Sequence, residues 1–344
     1  MDLETATALL VSAEEDRRAL RGRDADAAHA RVEGRYPDLR AAFELFLDRG
    51  RAEEACRLTI ALVQFWMASK RMPEGDDWLR RATALPGASE ATRAMAVFQH
   101  GYLLFWGGDY ERSAELSNRA VNLGRAANAP TVVSLSLGVL ARIALNTDVE
   151  EAKRLLREAI AVTEGTDDVQ GRSSAMHVLG VAYQMSGEFE AARAVMSDRI
   201  ALGRQTDNEY LVAIESANLG MVERQLGNLE RAEELSLEAL AIVDRLQDAI
   251  MIPWLVNGLA AVTAARGDLD RAAVLNGFAE AGIEAAGGKW PPDERQQYEG
   301  TLATLRAGMT MAAMDRARAR GATMSTPEGL AFALQPTPPR GTPA

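Results

Sequence analysis

Apolar residues recur along this chain at intervals of three and four positions, as in Leu235, Ala239, Ile242 and Leu246. That spacing places them on one face of an α-helix. No stretch shows a sustained alternation of apolar and polar residues between hairpin turns, which strands would require. Residues 131–252 contain no proline and are rich in helix-forming residues. The pattern predicts an all-α protein.

A short turn recurs five times with a nearly constant period. The turns begin at Gly108, Thr147, Gly187, Gly227 and Gly267, which lie 39, 40, 40 and 40 positions apart. A glycine permits the positive φ that ends a helix, and the acidic or amide residue after it suits the start of the next helix. The period therefore predicts repeated helix-turn-helix units of about 40 residues.

Small residues occupy fixed positions around each turn. Five positions after each start are Ser113, Ala152, Ala192, Ala232 and Ala272. Seven before are Gly101, Leu140, Gly180, Gly220 and Ala260, and twelve after are Ala120, Ala159, Arg199, Ala239 and Ala279. Small residues on both helices allow close approach. We expect less regular packing around the two exceptions, Leu140 and Arg199.

The turn with its flanking small residues resembles tetratricopeptide repeats (TPRs). The period exceeds the usual 34 residues of those repeats, which implies longer helices or connections. The resemblance implies a right-handed α-solenoid of stacked helix pairs, whose first helices line a concave groove.

Motifs near both ends narrow the resemblance. Phe65-Trp66 and Glu74-Gly75-x-x-Trp78-Leu79 lie near the start, and Pro291-Pro292-x-Glu294 and Thr326-Pro327-Glu328 near the end. Over residues 30–335 the chain resembles the C-terminal repeat half of bacterial LuxR-type and actinobacterial signal-transduction ATPase regulators. The resemblance implies a sensor or partner-binding part without the ATPase and DNA-binding domains, since the sequence has no phosphate-binding Gly-x-x-x-x-Gly-Lys-(Ser/Thr) motif.

The positions of glycine and proline residues, which tend to end helices, predict four segments. Residues 1–33 form an N-terminal helical cap, 34–286 the repeat solenoid, 287–334 C-terminal capping helices, and 335–344 a disordered proline-rich tail. We expect Trp290 to pack against the end of the solenoid.

Composition narrows the possible functions and location. The 344 residues carry a net charge of −11, which disfavours direct nucleic-acid binding. The single cysteine, Cys56, cannot form an internal disulfide and fits a reducing compartment. The longest uncharged stretch, 249–265, has 17 residues and contains a proline, so we interpret it as a buried helix rather than a membrane span. These features predict a cytoplasmic protein that does not enter a membrane.

No residue pattern for catalysis, a cofactor or a metal is evident. The three histidines are far apart, and no nucleophile motif of the Gly-x-Ser-x-Gly type occurs. The acidic pairs, such as Glu233-Glu234, stand where helices begin and are explained by the helix dipole. We therefore predict a protein that is not an enzyme.

In TPRs, fixed positions of the first helix in each pair face the groove. The resemblance therefore implies a set of candidate contacts, many of which are methionine or aromatic residues. The predicted binding residues are Met67, Phe98, Tyr102, Phe105, Trp106, His177, Val181, Gln184, Met185, Met221, Arg224 and Asn257. Methionine and aromatic side chains suit adaptable recognition.

These observations predict a non-enzymatic binding module that recognises a peptide, a protein partner or a small apolar ligand, with a regulatory role implied by the resemblance. The alternative is a biosynthetic accessory protein or an enzyme that processes a small molecule in the aromatic groove. That alternative requires an acid, base or nucleophile close to Tyr102 and Trp106. The sequence leaves the oligomeric state open.

Overall fold

The computed structural model describes residues 1–20, 25–145, 147–248, 250–285, 290 and 292–335. In those ranges the chain forms helices and no strands, as the periodicity predicts. The helices are α1 (Leu3–Ala19), α2 (Ala25–Asp48), α3 (Ala52–Ala68), α4 (Met72–Ala84), α5 (Glu90–Trp106), α6 (Tyr110–Ala126), α7 (Pro130–Ala144), α8 (Val149–Ala161), α9 (Val169–Met185), α10 (Phe189–Gln205), α11 (Glu209–Gln225), α12 (Leu229–Arg245), α13 (Ile252–Ala265), α14 (Leu269–Ala285), α15 (Pro292–Gly308), α16 (Met311–Ala322) and α17 (Thr326–Ala333).

Two compact units make up the chain, Met1–Ala182 (unit 1) and Tyr183–Ala344 (unit 2). In unit 1, α5 packs against α6 and α7 against α8, while the first helices α3, α5 and α7 also contact one another in sequence order. In unit 2, α11 pairs with α12 and α13 with α14, and α13 also packs on α11 and α12. Each helix pair thus buries its apolar faces against a neighbouring pair, as in TPR-like solenoids.

The small residues predicted from the repeat lie where the helices of a pair meet. The five residues at the second-helix position (Ser113, Ala152, Ala192, Ala232 and Ala272) are all fully buried. A Cβ atom on Gly220 of α11 would lie 3.2 Å from the carbonyl oxygen of Ala232 and 3.3 Å from Ser236 Oγ on α12. The repeat register inferred from the sequence is therefore confirmed at this pair.

The turn glycines adopt the left-handed conformation expected of them. Gly108, Gly187, Gly227 and Gly267 have φ between +75° and +86°. An L-residue with a side chain rarely adopts this conformation, so glycine ends each helix at little cost. In the turn that begins at Thr147, the Asp148 carboxylate accepts a hydrogen bond from Glu151 N at 3.0 Å and caps α8.

The two departures from the repeat have different outcomes. Leu140 is half-buried, and a Cβ on nearby Gly138 would have no atom within 4 Å, so Gly138 makes no close helix contact. Arg199, which replaces alanine on α10, forms an ion pair with Glu215 of α11, whose side chain is fully buried. A charged pair thus takes the place of the usual apolar contact.

The N-terminal segment differs from the predicted division. α2 runs without a break through Gly34 and Pro37, so the expected boundary between residues 33 and 34 lies inside a helix. Tyr36, two residues after Gly34, is buried and accepts a hydrogen bond of 2.7 Å from Trp66 Nε1. These tertiary contacts hold the helix in place. Residues on both sides of the expected boundary, Val32 and Tyr36 among them, belong to one buried core cluster.

A close contact explains the glycine in the motif Glu74-Gly75-x-x-Trp78. A Cβ on Gly75 would lie 2.7 Å from a Trp66 ring carbon, so only glycine fits there. Trp78 stacks on Phe43 with ring centroids 4.2 Å apart and meets Trp66 edge-on at 5.5 Å. The motif therefore marks the aromatic core of the first helices.

At the C-terminal end, α15, α16 and α17 pack on α13 and α14. Gly277 of α14 and Gly321 of α16 allow very close approach, because a Cβ on either would overlap backbone atoms of the other helix. Trp290 packs edge-on against Trp254 of α13, with centroids 5.4 Å apart. The predicted boundary at residue 287 and the tail after residue 335 lie outside the described residues.

Replacing Gly220 with leucine is expected to lower the free energy of unfolding by about 1–3 kcal/mol, because the added atoms overlap α12. Gly138→Leu is the matched control in another first helix, where a Cβ meets open space. Urea unfolding followed by circular dichroism measures both. Equal effects of the two substitutions would contradict the register.

Replacing Arg199 with alanine restores the repeat residue but leaves the buried Glu215 carboxylate without this partner. We expect a loss of about 3–5 kcal/mol. The double variant Arg199→Ala/Glu215→Leu should recover most of that loss, since no buried charge remains. A double-mutant cycle in urea measures the coupling, and additive losses would show that the ion pair is not what holds α10 on α11.

Candidate functional site

Four aromatic side chains form a continuous surface at the end of α5 and the start of α6. We call Tyr102, Phe105, Trp106 and Tyr110 the α5 aromatic surface. Trp106 meets Tyr102 and Phe105 edge-on, with centroid distances of 6.2 and 5.4 Å, and Phe105 lies 5.6 Å from Tyr110. Edge-to-face contacts at these distances are favourable. The rings are therefore ordered by one another before any partner binds.

The turn between the two helices creates this surface. α5 ends at Trp106, and Gly108 with φ +84° reverses the chain. Asp109 caps α6 by accepting a hydrogen bond from Arg112 N at 3.2 Å, which fixes Tyr110 as the first helical residue. The turn therefore brings the Tyr110 ring into contact with Phe105.

The surface is anchored in the core at one side and open to solvent at the other. Phe98 is 4% exposed and lies 5.9 Å from Tyr102, which is half-buried and packs against two core clusters. In contrast, Trp106 is 52% and Tyr110 is 53% exposed. Two large aromatic rings are thus left half in water on the open side of the α5 aromatic surface.

An arginine with no partner lies close to this surface. Arg142 is half-buried on α7, which packs against α5. Burial lowers the pKa of its guanidinium, and the interaction with Tyr102 opposes that shift in part. Among the described residues no hydrogen bond or ion pair to Arg142 is present. Since an arginine remains protonated in proteins, its charge is available to an acceptor.

The predicted binding residues fall into both units and are described separately. Met67, Phe98, Tyr102, Phe105, Trp106, His177 and Val181 belong to unit 1, and Gln184, Met185, Met221, Arg224 and Asn257 to unit 2. The structure brings together Phe98, Tyr102, Phe105 and Trp106 on α5, and Met67 packs on the same core cluster as Tyr102. His177 and Val181 are half-buried on α9.

Two of the predicted contacts are corrected by their burial. Phe98 packs in the core between α5, α6 and α7, and Asn257 of α13 is fully buried. Each follows the register but faces neighbouring helices, because α5 and α13 are apolar on more than one side. Neither side chain can touch a partner in this structure.

In unit 2, Met185 is exposed and Gln184 and Arg224 are half-buried. Burial lowers the pKa of the Arg224 guanidinium, and its buried Nε has no hydrogen-bond partner within the described part of the chain. Met221 lines a cavity of about 150 Å³ between α11, α12, α13 and α15.

The histidine nearest the aromatic surface has a structural contact. His100 Nε2 lies 2.5 Å from Asp76 Oδ1, and Arg112 donates to the same carboxylate at 2.8 Å. Burial lowers the pKa of His100, and the neighbouring Asp76 carboxylate opposes that shift in part. The group ties α4 to α5 and α6.

The described residues hold no cluster of three or more His, Cys, Asp or Glu side chains placed to bind a metal ion. Within the same ranges, no helix is both long enough and apolar enough to cross a bilayer.

Sequence reasoning missed Tyr110, Arg142 and most of the cavity lining. Tyr110 carried a signal, because it is an aromatic residue at the third turn position, directly after the cap. Arg142 follows the departure at Leu140, and its position two residues later is held by buried Leu103, Val222 and Val262 in other repeats. The signal in the sequence was therefore a charged residue, Arg142, at a position that is apolar and buried in other repeats. The cavity had none, because it depends on how α15 packs.

A family model described as the MalT-like TPR region matches residues 141–319 of this chain. No curated protein sequence matches this chain.

Solved structures give the same fold. The apo form of RapI aligns with a TM-score of 0.59 at 11% identity, covering 96% of each chain. A Rap protein complexed with Competence and Sporulation Factor aligns with a TM-score of 0.55 at 14% identity, over 92% of this chain and 86% of that one. A signal-transduction ATPase with a TPR sensor from Pyrococcus horikoshii aligns at 0.53 and 12%, over 86% of this chain and 48% of that protein. At these identities the likeness concerns the fold alone.

The exposure of Trp106 predicts a fluorescence result. Trp66 and Trp78 are buried and Trp254 and Trp290 are half-buried, so Trp106 should be the tryptophan most accessible to acrylamide. Trp106→Phe is expected to remove the most steeply quenched part of the emission, and the control Trp254→Phe should remove less. Unchanged quenching in the Trp106 variant would show that this ring is covered in solution.

Proposed function

The chain belongs to the MalT-like TPR family, and we propose that it is a non-enzymatic binding module that holds a peptide or protein segment on the α5 aromatic surface. The observation that carries the proposal is the set of ordered rings in which Trp106 and Tyr110 are solvent-exposed, together with Arg142, which interacts with Tyr102 and has no hydrogen-bond or ion-pair partner among the described residues.

The aromatic rings supply the affinity. Burying apolar surface contributes about 25 cal/mol per Å², and a central aromatic anchor can contribute about 2 kcal/mol or more. Because the edge-to-face contacts already order the rings, little side-chain entropy is lost on binding. An aliphatic or aromatic side chain of the partner fits this surface.

Arg142 determines the orientation of the bound segment and selects for segments that carry a carboxylate. A half-buried guanidinium without a partner favours a carboxylate, since charge-assisted hydrogen bonds are strong where water is partly excluded. The chain as a whole carries a charge of −11, which repels strongly acidic partners. The preferred segment therefore has one carboxylate next to its apolar anchor rather than an acidic run.

The comparisons support a regulatory role. A Rap protein of this fold binds Competence and Sporulation Factor in its crystal structure, and the aligned ATPase from Pyrococcus horikoshii uses tetratricopeptide repeats as its sensor. We propose that this chain likewise binds a partner and that the bound and unbound chains have different regulatory effects.

The enzymatic alternative would need a group that moves protons beside Tyr102 and Trp106. Arg142 is the charged residue found to interact with Tyr102, and it keeps its proton at physiological pH. The arrangement suits holding an anion more than proton transfer.

A phage-displayed library of random twelve-residue peptides tests the proposal. Selection on the full chain should enrich peptides that carry an aromatic or aliphatic residue near Asp or Glu. Trp106→Ala should weaken the best synthetic peptide about thirtyfold by calorimetry, corresponding to about 2 kcal/mol. Arg142→Gln should weaken it about tenfold and reduce the dependence of affinity on salt.

The matched control is Val11→Ala, which removes an exposed apolar residue from α1 of the same unit. Its affinity should match that of the unsubstituted chain. Circular dichroism verifies that each variant is folded. Selected peptides that bind Trp106→Ala as tightly as the original chain would refute the proposed surface.

A further inference from the structure

The cavity in unit 2 that includes Met221 is lined mainly by apolar side chains, with three polar ones among the described lining residues. Its volume is about 150 Å³, which is the size that accommodates one benzene ring in an engineered apolar cavity of another protein. The lining residues are Ile214, Ala217, Asn218, Met221, Ser236, Met251, Trp254, Leu255, Gly258 and Gln297. None of them is charged. An ionised ligand would lose its hydration without a compensating partner, so the lining favours a neutral molecule.

Two carboxamides, those of Asn218 and Gln297, are among the lining residues. The Asn218 side-chain nitrogen donates to Glu215 Oε2 at 3.3 Å, which leaves the Asn218 carbonyl oxygen as an acceptor. The Gln297 side chain has no hydrogen-bond partner among the described residues, and its Nε2 lies 3.8 Å from the position of a Cβ on Gly258. Ser236 differs, because its hydroxyl donates to the Ala232 carbonyl at 2.8 Å. One acceptor and one amide group thus remain for a ligand.

Some lining side chains are held rigidly and others are adaptable. Trp254 packs edge-on against Trp290 at 5.4 Å, and Trp290 stacks on Tyr298 at 5.5 Å. Arg318 donates to the Tyr298 hydroxyl at 3.0 Å, which fixes this stack on α15. Met221 and Met251 supply flexible, polarisable side chains that adjust to a ligand's shape.

Glycine at position 258 keeps the cavity open. A Cβ there would have only Gln297 Nε2 nearby, at an ordinary van der Waals distance. Glycine inside a helix is less favourable than alanine, and no close helix contact at this position requires it. The absent side chain therefore leaves room in the cavity.

We propose that this cavity is a binding site for a compact, uncharged molecule built on a single ring with one hydrogen-bonding group. The proposal does not rest on the function proposed for the α5 aromatic surface. It assigns the chain a second binding activity, toward a small molecule, through residues of unit 2.

The experiment uses phenol, toluene and benzoate as probes, which share ring size and differ in polarity and charge. The full chain is labelled with ¹³C at its methionine methyl groups, and the Met221 and Met251 signals are assigned by Met→Leu substitution. We expect phenol and toluene to shift both signals with a Kd of about 0.1–1 mM, phenol binding about fivefold more tightly. Benzoate should bind at least tenfold more weakly than phenol.

Gly258→Leu should abolish the shifts by filling the cavity, whereas Gly258→Ala should retain them. If the leucine variant does not fold, Ala217→Leu fills the same space from α11. Gln297→Leu should remove the preference for phenol over toluene and leave toluene binding unchanged. Trp106→Ala should have no effect on any probe.

Any of three results would overturn the proposal. In the first, neither neutral probe shifts the Met221 and Met251 signals up to its solubility limit. In the second, the shifts persist in a folded variant with a filled cavity. In the third, benzoate binds as tightly as phenol.

Discussion

The close approach of paired helices at small residues is the constraint on which the rest of the structure depends. Between α11 and α12, Gly220 brings the two backbones so near that a single Cβ would lie 3.2 Å from the carbonyl oxygen of Ala232. Because an isolated helix pair exposes much of its apolar surface, each pair must stack on a neighbour to be stable. The contact therefore fixes which residues face the stack and which remain on the surface.

The two candidate binding sites follow from small departures within this regular scheme. At the end of α5 and the start of α6, four aromatic residues lie together, and two of the rings remain half exposed. In unit 2, the glycine at position 258 leaves space between α11, α13 and α15 that a larger residue would fill. The repeat supplies a rigid frame, and the individual departures supply the chemistry.

Much of the fold could be predicted because it depends on local sequence. The positive φ of Gly227 and the burial of Ala232 each follow from one residue type at one position. The continuity of α2 could not be predicted, since tertiary burial of Tyr36 outweighs the local signals of Gly34 and Pro37.

The sites were less predictable, because they depend on the faces that helices turn toward each other. The register predicts that both Trp106 and Phe98 face the groove, and the structure leaves Trp106 exposed but places Phe98 in the core. Arg142 carried a sequence signal only as a charge at a position that is apolar in other repeats. The cavity beside Gln297 depends on how α15 packs, and no pattern along the chain contains that information.

The central claim is that a partner segment lies on the α5 aromatic surface, and site-directed photo-cross-linking tests it most directly. A photoreactive phenylalanine analogue is placed at position 106 of the full chain, or at position 11 as a control on α1, and irradiated with a library-selected peptide. The account predicts a cross-linked peptide at position 106 and none at position 11. Equal cross-linking at both positions, or none at position 106 while the peptide remains bound, would contradict it.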